Sequence, residues 1–170
     1  NDYSLISNPV LELEKYYSKS KKEKKLTGKE SLEIVTSGKI DLTKAVISFR
    51  LKNLKNAVYN FTLSNAKGES LTFGINNTEN FLFLDRSKSG KTDFYEKFAS
   101  AISKALLNKN QETADFKILL DKTSIEIFYN NGEKVMTELF FTTEPFTRFS
   151  ASSSGDIQIN NLIINQIITN

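Results

Sequence analysis

The stretch FKILLDKTSIEIFYNNGEKVMTELFF, from Phe116 to Phe141, decides the fold of this chain. It reads as three consecutive β-strands, because short apolar runs alternate with polar residues and are separated by turn residues. The first strand ends before Asp121, the second runs from Ile125 to Tyr129, and the third runs from Val135 to Phe141. Asn131-Gly132 tolerates positive φ and predicts a tight hairpin between the last two strands.

Apolar runs of the same kind lie on both sides of this stretch and predict more strands. They are Leu32 to Val35, Ala45 to Leu51, Tyr59 to Leu63, Ser70 to Ile75, Phe81 to Leu84, Arg148 to Ala151 and Ile157 to Ile168. The pattern lacks the helices that parallel βαβ units need. About ten strands exceed what one open sheet usually holds before it curls. We therefore predict an all-β fold, a two-sheet antiparallel β-sandwich of the jelly-roll or concanavalin-like type.

Two segments depart from the strand pattern. Asn8-Pro9 is a helix-start signal and predicts one short N-terminal helix. The lysine-rich run Lys19 to Lys25 predicts a solvated connector, so we expect residues 1–28 to form a linker with a short helix and residues 29–170 to form the sandwich. The segment from Phe94 to Leu107 has apolar residues at helical spacing and predicts either a short helix or an ordered loop.

The composition excludes several classes of function. The net charge of +3, from 23 basic and 20 acidic residues, gives no reason to expect a nucleic acid partner. The chain has no His and no Cys, which excludes a Ser–His pair, a disulfide and a metal site built on either residue. No apolar run approaches the roughly 18 to 20 residues needed to cross a bilayer. We expect no cofactor and no metal.

Two motifs together carry a family resemblance. They are FLDRSKSG at residues 83–90 and LDKTSIEIF at residues 120–128, the latter followed by Asn131-Gly132-Glu133. The pair resembles the C-terminal β-sandwich domain of glycoside hydrolase family 32, which is similar to the family 66 carbohydrate-binding modules. LISNPVLEL at residues 5–13 resembles the segment that leaves the catalytic propeller in that family. Lys122 stands where the family often has Arg.

The resemblance implies an accessory domain. The family's catalytic carboxylates lie on a β-propeller in sequence contexts absent here, so we expect no catalytic residue in this chain. The implied partner is the propeller of the same parent protein, a fructan- or sucrose-hydrolysing enzyme located outside the cytoplasm. The chain begins without Met, and we expect it to be a fragment with any signal sequence upstream. Two alternatives stay open: a module that binds terminal fructosyl units of levan or inulin, and a sandwich that associates subunits through its edge strands.

The two motifs and the tyrosine that follows the second hold the candidate carbohydrate-binding residues, which are Asp85, Arg86, Asp121, Glu126 and Tyr129. In a structural interpretation, Asp85 accepts from turn amides while Arg86 binds the carboxylate of Asp121 or Glu126. In a binding interpretation, Asp85, Arg86 and Glu126 contact vicinal sugar hydroxyls, and the ring of Tyr129 or Tyr95 stacks on the sugar.

Asp121 and Glu126 are also the one carboxylate pair in a suggestive motif. Their odd spacing predicts that they face opposite sides of the sheet, which argues against a joint role in glycoside hydrolysis.

Overall fold

The computed structural model describes residues 5–35, 40–108 and 111–168 of the chain, and it confirms the all-β sandwich. The strands of this described part are β1 Tyr17–Val35, β2 Ala45–Lys52, β3 Val58–Ser64, β4 Ser70–Asn76, β5 Phe81–Asp85, β6 Ser103–Leu106, β7 Thr113–Asp121, β8 Ser124–Tyr129, β9 Lys134–Leu139 and β10 Arg148–Ile167. No helix in the described ranges is long and apolar enough to cross a membrane.

The strands form two antiparallel sheets that share β10. The front sheet has the order β6-β5-β4-β3 and continues into residues 148–153 of β10. The back sheet has the order β9-β8-β7-β2 and continues into residues 159–166 of β10. β1 pairs with β10 from Tyr17 opposite Ile167 to Val35 opposite Phe149. This ribbon of two strands therefore runs through both sheets.

Phenylalanine side chains fill the space between the sheets. Phe49 and Phe116 come from the back sheet, whereas Phe61, Phe73 and Phe149 come from the front sheet. The ring centroids of Phe49 and Phe61 lie 4.6 Å apart, and those of Phe61 and Phe116 lie 5.4 Å apart. Aromatic contacts at these distances join the two layers face to face, as the Phe-rich composition suggests.

The stretch from Phe116 to Phe141 forms the predicted strands β7, β8 and β9. Phe116 lies opposite Tyr129, and Ile127 lies opposite Met136. The hairpin turn is a 3₁₀ helix, Asn130–Gly132, in which φ is 56° at Asn131 and 88° at Gly132. The positive φ values explain why Asn and Gly occupy the turn.

The N-terminal region differs from its prediction. The helix is a 3₁₀ helix, Leu11–Tyr16, that starts after Val10 and has no side-chain cap, so Asn8 does not begin it. The prediction of a connector for Lys19 to Lys25 is wrong, because these residues lie in β1. Lysine is common on edge strands, where its charge opposes further pairing. The division of the chain at residue 28 stays a prediction, and strand pairing reaches back to Tyr17.

The segment from Phe94 to Leu107 is a loop that leads into a short strand. Residues 91–102 form an ordered loop, one of the two predicted forms, and β6 then pairs with β5. The helical spacing has another cause, since the rings of Phe94 and Phe98 pack on Phe141 at centroid distances of 5.6 and 5.5 Å. Loop packing, and not a helix, explains the two phenylalanines of this segment.

Candidate functional site

Asp85 ends β5 and lies on the outer face of the front sheet. It pairs with Thr72, while the adjacent Leu84 points into the core. Its Oδ1 accepts a hydrogen bond of 2.8 Å from the backbone N–H of Ser87, which confirms the predicted turn. The carboxylate thus ends the strand and faces solvent beside an aromatic strand.

Arg86 joins the edges of the two sheets. Its Nη1 lies 2.9 Å from Oε2 of Glu138 and donates a hydrogen bond of 3.0 Å to the carbonyl oxygen of Leu139. The guanidinium also lies 4.0 Å from the ring centroid of Phe98. Ser103 donates a hydrogen bond to the same carboxylate.

The prediction that Arg86 binds the carboxylate of Asp121 or Glu126 is wrong. The guanidinium binds the carboxylate of Glu138, and neither Asp121 nor Glu126 takes that place. The reason is that Glu138 lies on the edge strand β9, opposite Ile125, and points inward, whereas Glu126 points outward. The largely buried pair explains the conformation of Arg86 without a ligand.

Asp121 and Glu126 lie on one face of the back sheet, which corrects the prediction that they face opposite sides. Asp121 ends β7 opposite Ser124, and Glu126 lies opposite Leu119. A turn separates the two residues, so they lie on different strands and their spacing in sequence does not decide which face each side chain takes. Oδ1 of Asp121 accepts a hydrogen bond of 2.8 Å from the backbone N–H of Lys122.

Tyr129 lies in the core and does not present its ring to solvent. It is 1% exposed, and its ring packs edge-on against Phe116 at a centroid distance of 5.5 Å. Burial raises the pKa of Tyr129 to about 12, and the nearby carboxylate of Glu133 adds to the rise. In this position the ring cannot stack on a sugar, whereas Tyr95 is exposed on the loop 91–102.

The candidate residues therefore do not converge on one site. Asp85 lies on the outer face of the front sheet, and Glu126 lies on the outer face of the back sheet. Arg86 is engaged at the edge between them. Within the described ranges, no group of three or more acidic residues is placed to hold a metal ion.

The front face carries a groove that the sequence reasoning missed apart from Asp85. It has a volume of about 380 Å³ and crosses four strands. Its lining includes Asn60, Thr72, Phe81, Phe83, Asp85 and Lys104. The sequence pattern of β5 does indicate the groove: Phe81 and Phe83 take the outward positions of this strand, where polar side chains are more usual.

Exposed apolar side chains are concentrated near the N-terminus. Five large ones lie in the segment formed by residues 5–16, namely Leu5, Ile6, Val10, Leu11 and Tyr16. The segment is held on the back-sheet side, because the backbone N–H of Ser7 donates to the carbonyl oxygen of Gly132 over 3.2 Å. A Cβ on Gly132 would collide with the carbonyl oxygen of Ser7, so the close approach requires glycine.

Comparison with known proteins identifies the relatives of this sandwich. The family model described as "Glycosyl hydrolases family 32 C terminal" matches residues 12–166. The levanase of Bacillus subtilis (strain 168) is 25% identical over 165 residues, which are 96% of this chain and 24% of the levanase. The extracellular exo-inulinase of Aspergillus awamori is 29% identical over 82 residues, 48% of this chain and 15% of the inulinase.

A solved structure of exo-inulinase from Aspergillus awamori has the same fold. It superposes with a TM-score of 0.82 at 20% identity, covering 98% of this chain and 33% of the inulinase chain. The chain thus spans about a third or less of the length of the proteins it is similar to.

Proposed function

The chain belongs to the family of glycosyl hydrolase family 32 C-terminal domains, and on this premise we propose that it is a non-catalytic accessory sandwich. It packs on the catalytic domain of a fructan- or sucrose-hydrolysing enzyme and stabilises that domain. The observation that carries the proposal is the apolar segment of residues 5–16. The chain resembles sandwich domains that follow a catalytic β-propeller, so the proposed partner is a catalytic β-propeller in the same parent protein.

The apolar segment has the properties of a surface that a partner would bury. Leu11 is 77% exposed and Leu5 is 88% exposed, and both belong to one continuous stretch of chain. A contiguous apolar patch that is exposed to water usually marks a contact with another protein surface. The preceding part of the parent protein would join the chain at this end, so the catalytic domain lies within reach of the segment.

The segment is also held in place, which an interface requires. Ser7 is bound to the turn Asn130–Gly132, and the backbone N–H of Ile168 donates to the carbonyl oxygen of Tyr16 over 2.9 Å. Ile168 is itself exposed and lies beside Tyr16, which extends the apolar surface. A surface fixed at both ends loses little conformational entropy when a partner covers it.

The proposed absence of catalysis rests on the family resemblance, which places the catalytic carboxylates on the propeller, because Asp121 and Glu126 lie on one face and their orientation no longer argues against a joint role. Several other acidic side chains have partners within the sandwich. Glu138 is paired with Arg86, Asp115 with Arg50, and the Asp121 carboxylate with the Lys122 amide. The chain has no His to serve as a general base. A location outside the cytoplasm is part of the proposal, supported by a relative named as an extracellular exo-inulinase.

The test compares two leucines of equal exposure in the two-domain parent protein. Leu11 is 77% exposed on the segment, and Leu106 is 78% exposed on the front sheet edge. Leu11→Ser removes apolar area from the proposed interface and should lower the Tm of the two-domain protein by at least about 2 °C. Leu106→Ser is the control and should leave that Tm unchanged.

The measurement is differential scanning calorimetry of the two-domain protein and of this chain alone. The isolated chain should show no difference between the two variants. An unchanged Tm for Leu11→Ser in the two-domain protein, or a loss caused by Leu106→Ser instead, contradicts the proposed interface. Light scattering on the isolated chain tests the remaining alternative, and a stable dimer through an edge strand would assign the exposed surface to a second copy.

Sugar recognition is the second candidate function. The five candidate residues of the sequence do not meet at one place, but Asp85 lies in the groove on the front sheet together with an amide and two phenylalanine rings. A concave surface with a few convergent polar groups favours a small-molecule site. The groove lies on the sheet opposite the apolar segment, so docking of the catalytic domain leaves it open.

A further inference from the structure

We infer that Asn131, in the turn between β8 and β9, is a site of spontaneous covalent modification, and that the N-terminal segment controls its rate. The reaction is loss of the side-chain amide nitrogen through a cyclic imide formed with the backbone of Gly132. The site rests on the geometry of the turn alone. What the modification does to the parent protein rests on the proposed function, because the affected contact holds residues 5–16.

Asn131 combines the sequence and the exposure that this reaction needs. It is the one asparagine in the chain that glycine follows. Glycine has no side chain, so nothing hinders its backbone nitrogen when that nitrogen approaches the side-chain carbon of the preceding residue. Asn131 is also exposed to water, which the second step consumes. Asn53 is exposed and has positive φ as well, but Leu54 follows it, so Asn53 serves as an internal comparison.

The reaction balances with water as the only reactant from outside the chain. The backbone nitrogen of Gly132 attacks Cγ of Asn131, so that an N–Cγ bond forms and the Cγ–Nδ2 bond breaks. The proton of the Gly132 N–H leaves with Nδ2 as ammonia, and a cyclic imide remains. Water then opens the ring at Cγ to give aspartate, or at the backbone carbonyl carbon to give isoaspartate.

The folded turn keeps the two reacting atoms apart. Asn131 has a φ of 56° and a ψ of 32°. At this ψ the nitrogen of Gly132 points away from Cβ of Asn131, whereas ring closure needs both on the same side of the Cα–C bond. The backbone must therefore rotate about that bond before the nitrogen reaches Cγ. The reaction proceeds from a locally opened turn, at a rate set by the population of the opened state.

The contact with Ser7 keeps the turn closed. The backbone N–H of Ser7 donates to the carbonyl oxygen of Gly132 over 3.2 Å. Gly132 is buried, and a Cβ placed on it would lie 1.8 Å from the carbonyl oxygen of Ser7. Since rotation about the Cα–C bond of Asn131 shifts Gly132, the contact with Ser7 has to break first. The N-terminal segment therefore slows the modification of Asn131.

The isoaspartate product weakens the same contact. Its backbone runs through Cβ and Cγ of residue 131, which adds one carbon to the chain ahead of Gly132. The added carbon moves the Gly132 carbonyl oxygen away from the N–H of Ser7. Under the proposed function, a modified chain would hold its interface segment less firmly than a new one.

The test follows the amide by mass spectrometry of peptides from this chain, after incubation at mildly alkaline pH in buffer and in denaturing guanidinium chloride. We expect Asn131 to lose its amide at least about tenfold faster in the unfolded chain than in the folded one, because the unfolded turn rotates freely. The amide of Asn53 should stay largely intact under both conditions.

Two variants test the control by the segment. Ser7→Pro removes the N–H that binds Gly132 and should speed the reaction of the folded chain about fivefold. Ser7→Ala is the matched control, because it keeps that N–H and should leave the rate unchanged. No loss at Asn131 in the unfolded chain, or faster loss at another asparagine, overturns the site. Equal rates in the folded and unfolded chain, or equal effects of the two variants, overturn the control by the segment.

Thermal unfolding identifies a Ser7→Pro chain that does not fold. Hydrogen exchange of the Ser7 amide in the wild type then replaces that variant, and an unprotected amide overturns the control by the segment. The assay contains no catalytic domain, so its failure leaves the docking proposal standing, and a failed docking test leaves the modification site standing.

Discussion

The front face and the N-terminal segment carry opposite chemistry although they rest on the same core. The front face places polar groups around two phenylalanine rings in a groove, whereas residues 5–16 expose a run of apolar side chains. Inward positions of the two sheets supply the apolar side chains of one common cluster. The difference shows that surfaces outside the core specialise separately: on the front face alternation insulates the outward positions from the core, whereas residues 5–16 precede the first strand.

The largest effect is expected from the core that both regions share. Phe61→Ala removes a fully buried ring that contacts phenylalanines of both sheets, and should lower the free energy of unfolding by about 3–5 kcal/mol. Urea unfolding of the isolated chain measures it, with Phe94→Ala as a control at an exposed ring. Separate transitions for the front and back sheets would show that the two regions do not share one core.

The next effect concerns the edge that ties the two sheets together. Arg86→Met leaves the inward carboxylate of Glu138 without its guanidinium, and should cost about 3 kcal/mol of unfolding free energy. Arg50→Met is the control, since Arg50 pairs with Asp115 in a more exposed position and its replacement should cost clearly less. Equal losses in the two variants would mean that the Arg86 pair does not tie the sheets.

A third prediction uses alkaline pH to probe the turn beneath the N-terminal segment. The pKa of Tyr129 is raised from 10.0 to about 12, so the folded state holds the proton more tightly than the unfolded state. The resulting stability is fully present below pH 10 and is lost as the pH rises through the folded pKa, by at most about 3 kcal/mol.

Tyr129→Phe should remove the part of that dependence that Tyr129 contributes between pH 10 and pH 12. Urea unfolding across this range measures the difference between the two proteins. Parallel stability curves for wild type and variant would show that the phenol of Tyr129 ionises as freely in the folded protein as in the unfolded chain.

The smallest effect is expected at Gly132, in the turn that holds the N-terminal segment. It distinguishes backbone strain from steric contact with that segment. Gly132 and Gly68 both have positive φ, 88° and 80°, but a Cβ meets Ser7 only at Gly132. Gly68→Ala should cost about 1 kcal/mol from strain alone, and Gly132→Ala should cost about 1 kcal/mol more. Equal costs would indicate that residues 5–8 leave the turn without penalty.

Much of the fold followed from residue patterns, because alternation reports directly on which side of a strand is buried. The hairpin at Asn131-Gly132 and the strands around it are examples. Alternation failed for Lys19 to Lys25, where an edge strand needs few apolar residues. It also failed for Phe94 to Leu107, where rings at helical spacing pack on a distant Phe141.

The candidate site was harder to predict than the fold. Asp85 and Glu126 belong to the two motifs of the resemblance, but no local pattern states which of the two sheets a strand will join. The partner of Arg86 was missed because Glu138 lies 52 positions away and meets it only when the sheets stack. The groove was missed because its members come from four strands, and their proximity depends on register.

The free edge of β1 has a consequence for the behaviour of the chain in crowded solution. β1 pairs with β10 and with no other described strand, so its second row of backbone groups faces outward along both sheets. Lys21, Lys22, Lys24 and Lys25 lie on this edge. A second molecule that adds a strand there would bring two rows of ammonium groups together, so the lysine run acts as a barrier to fibril growth.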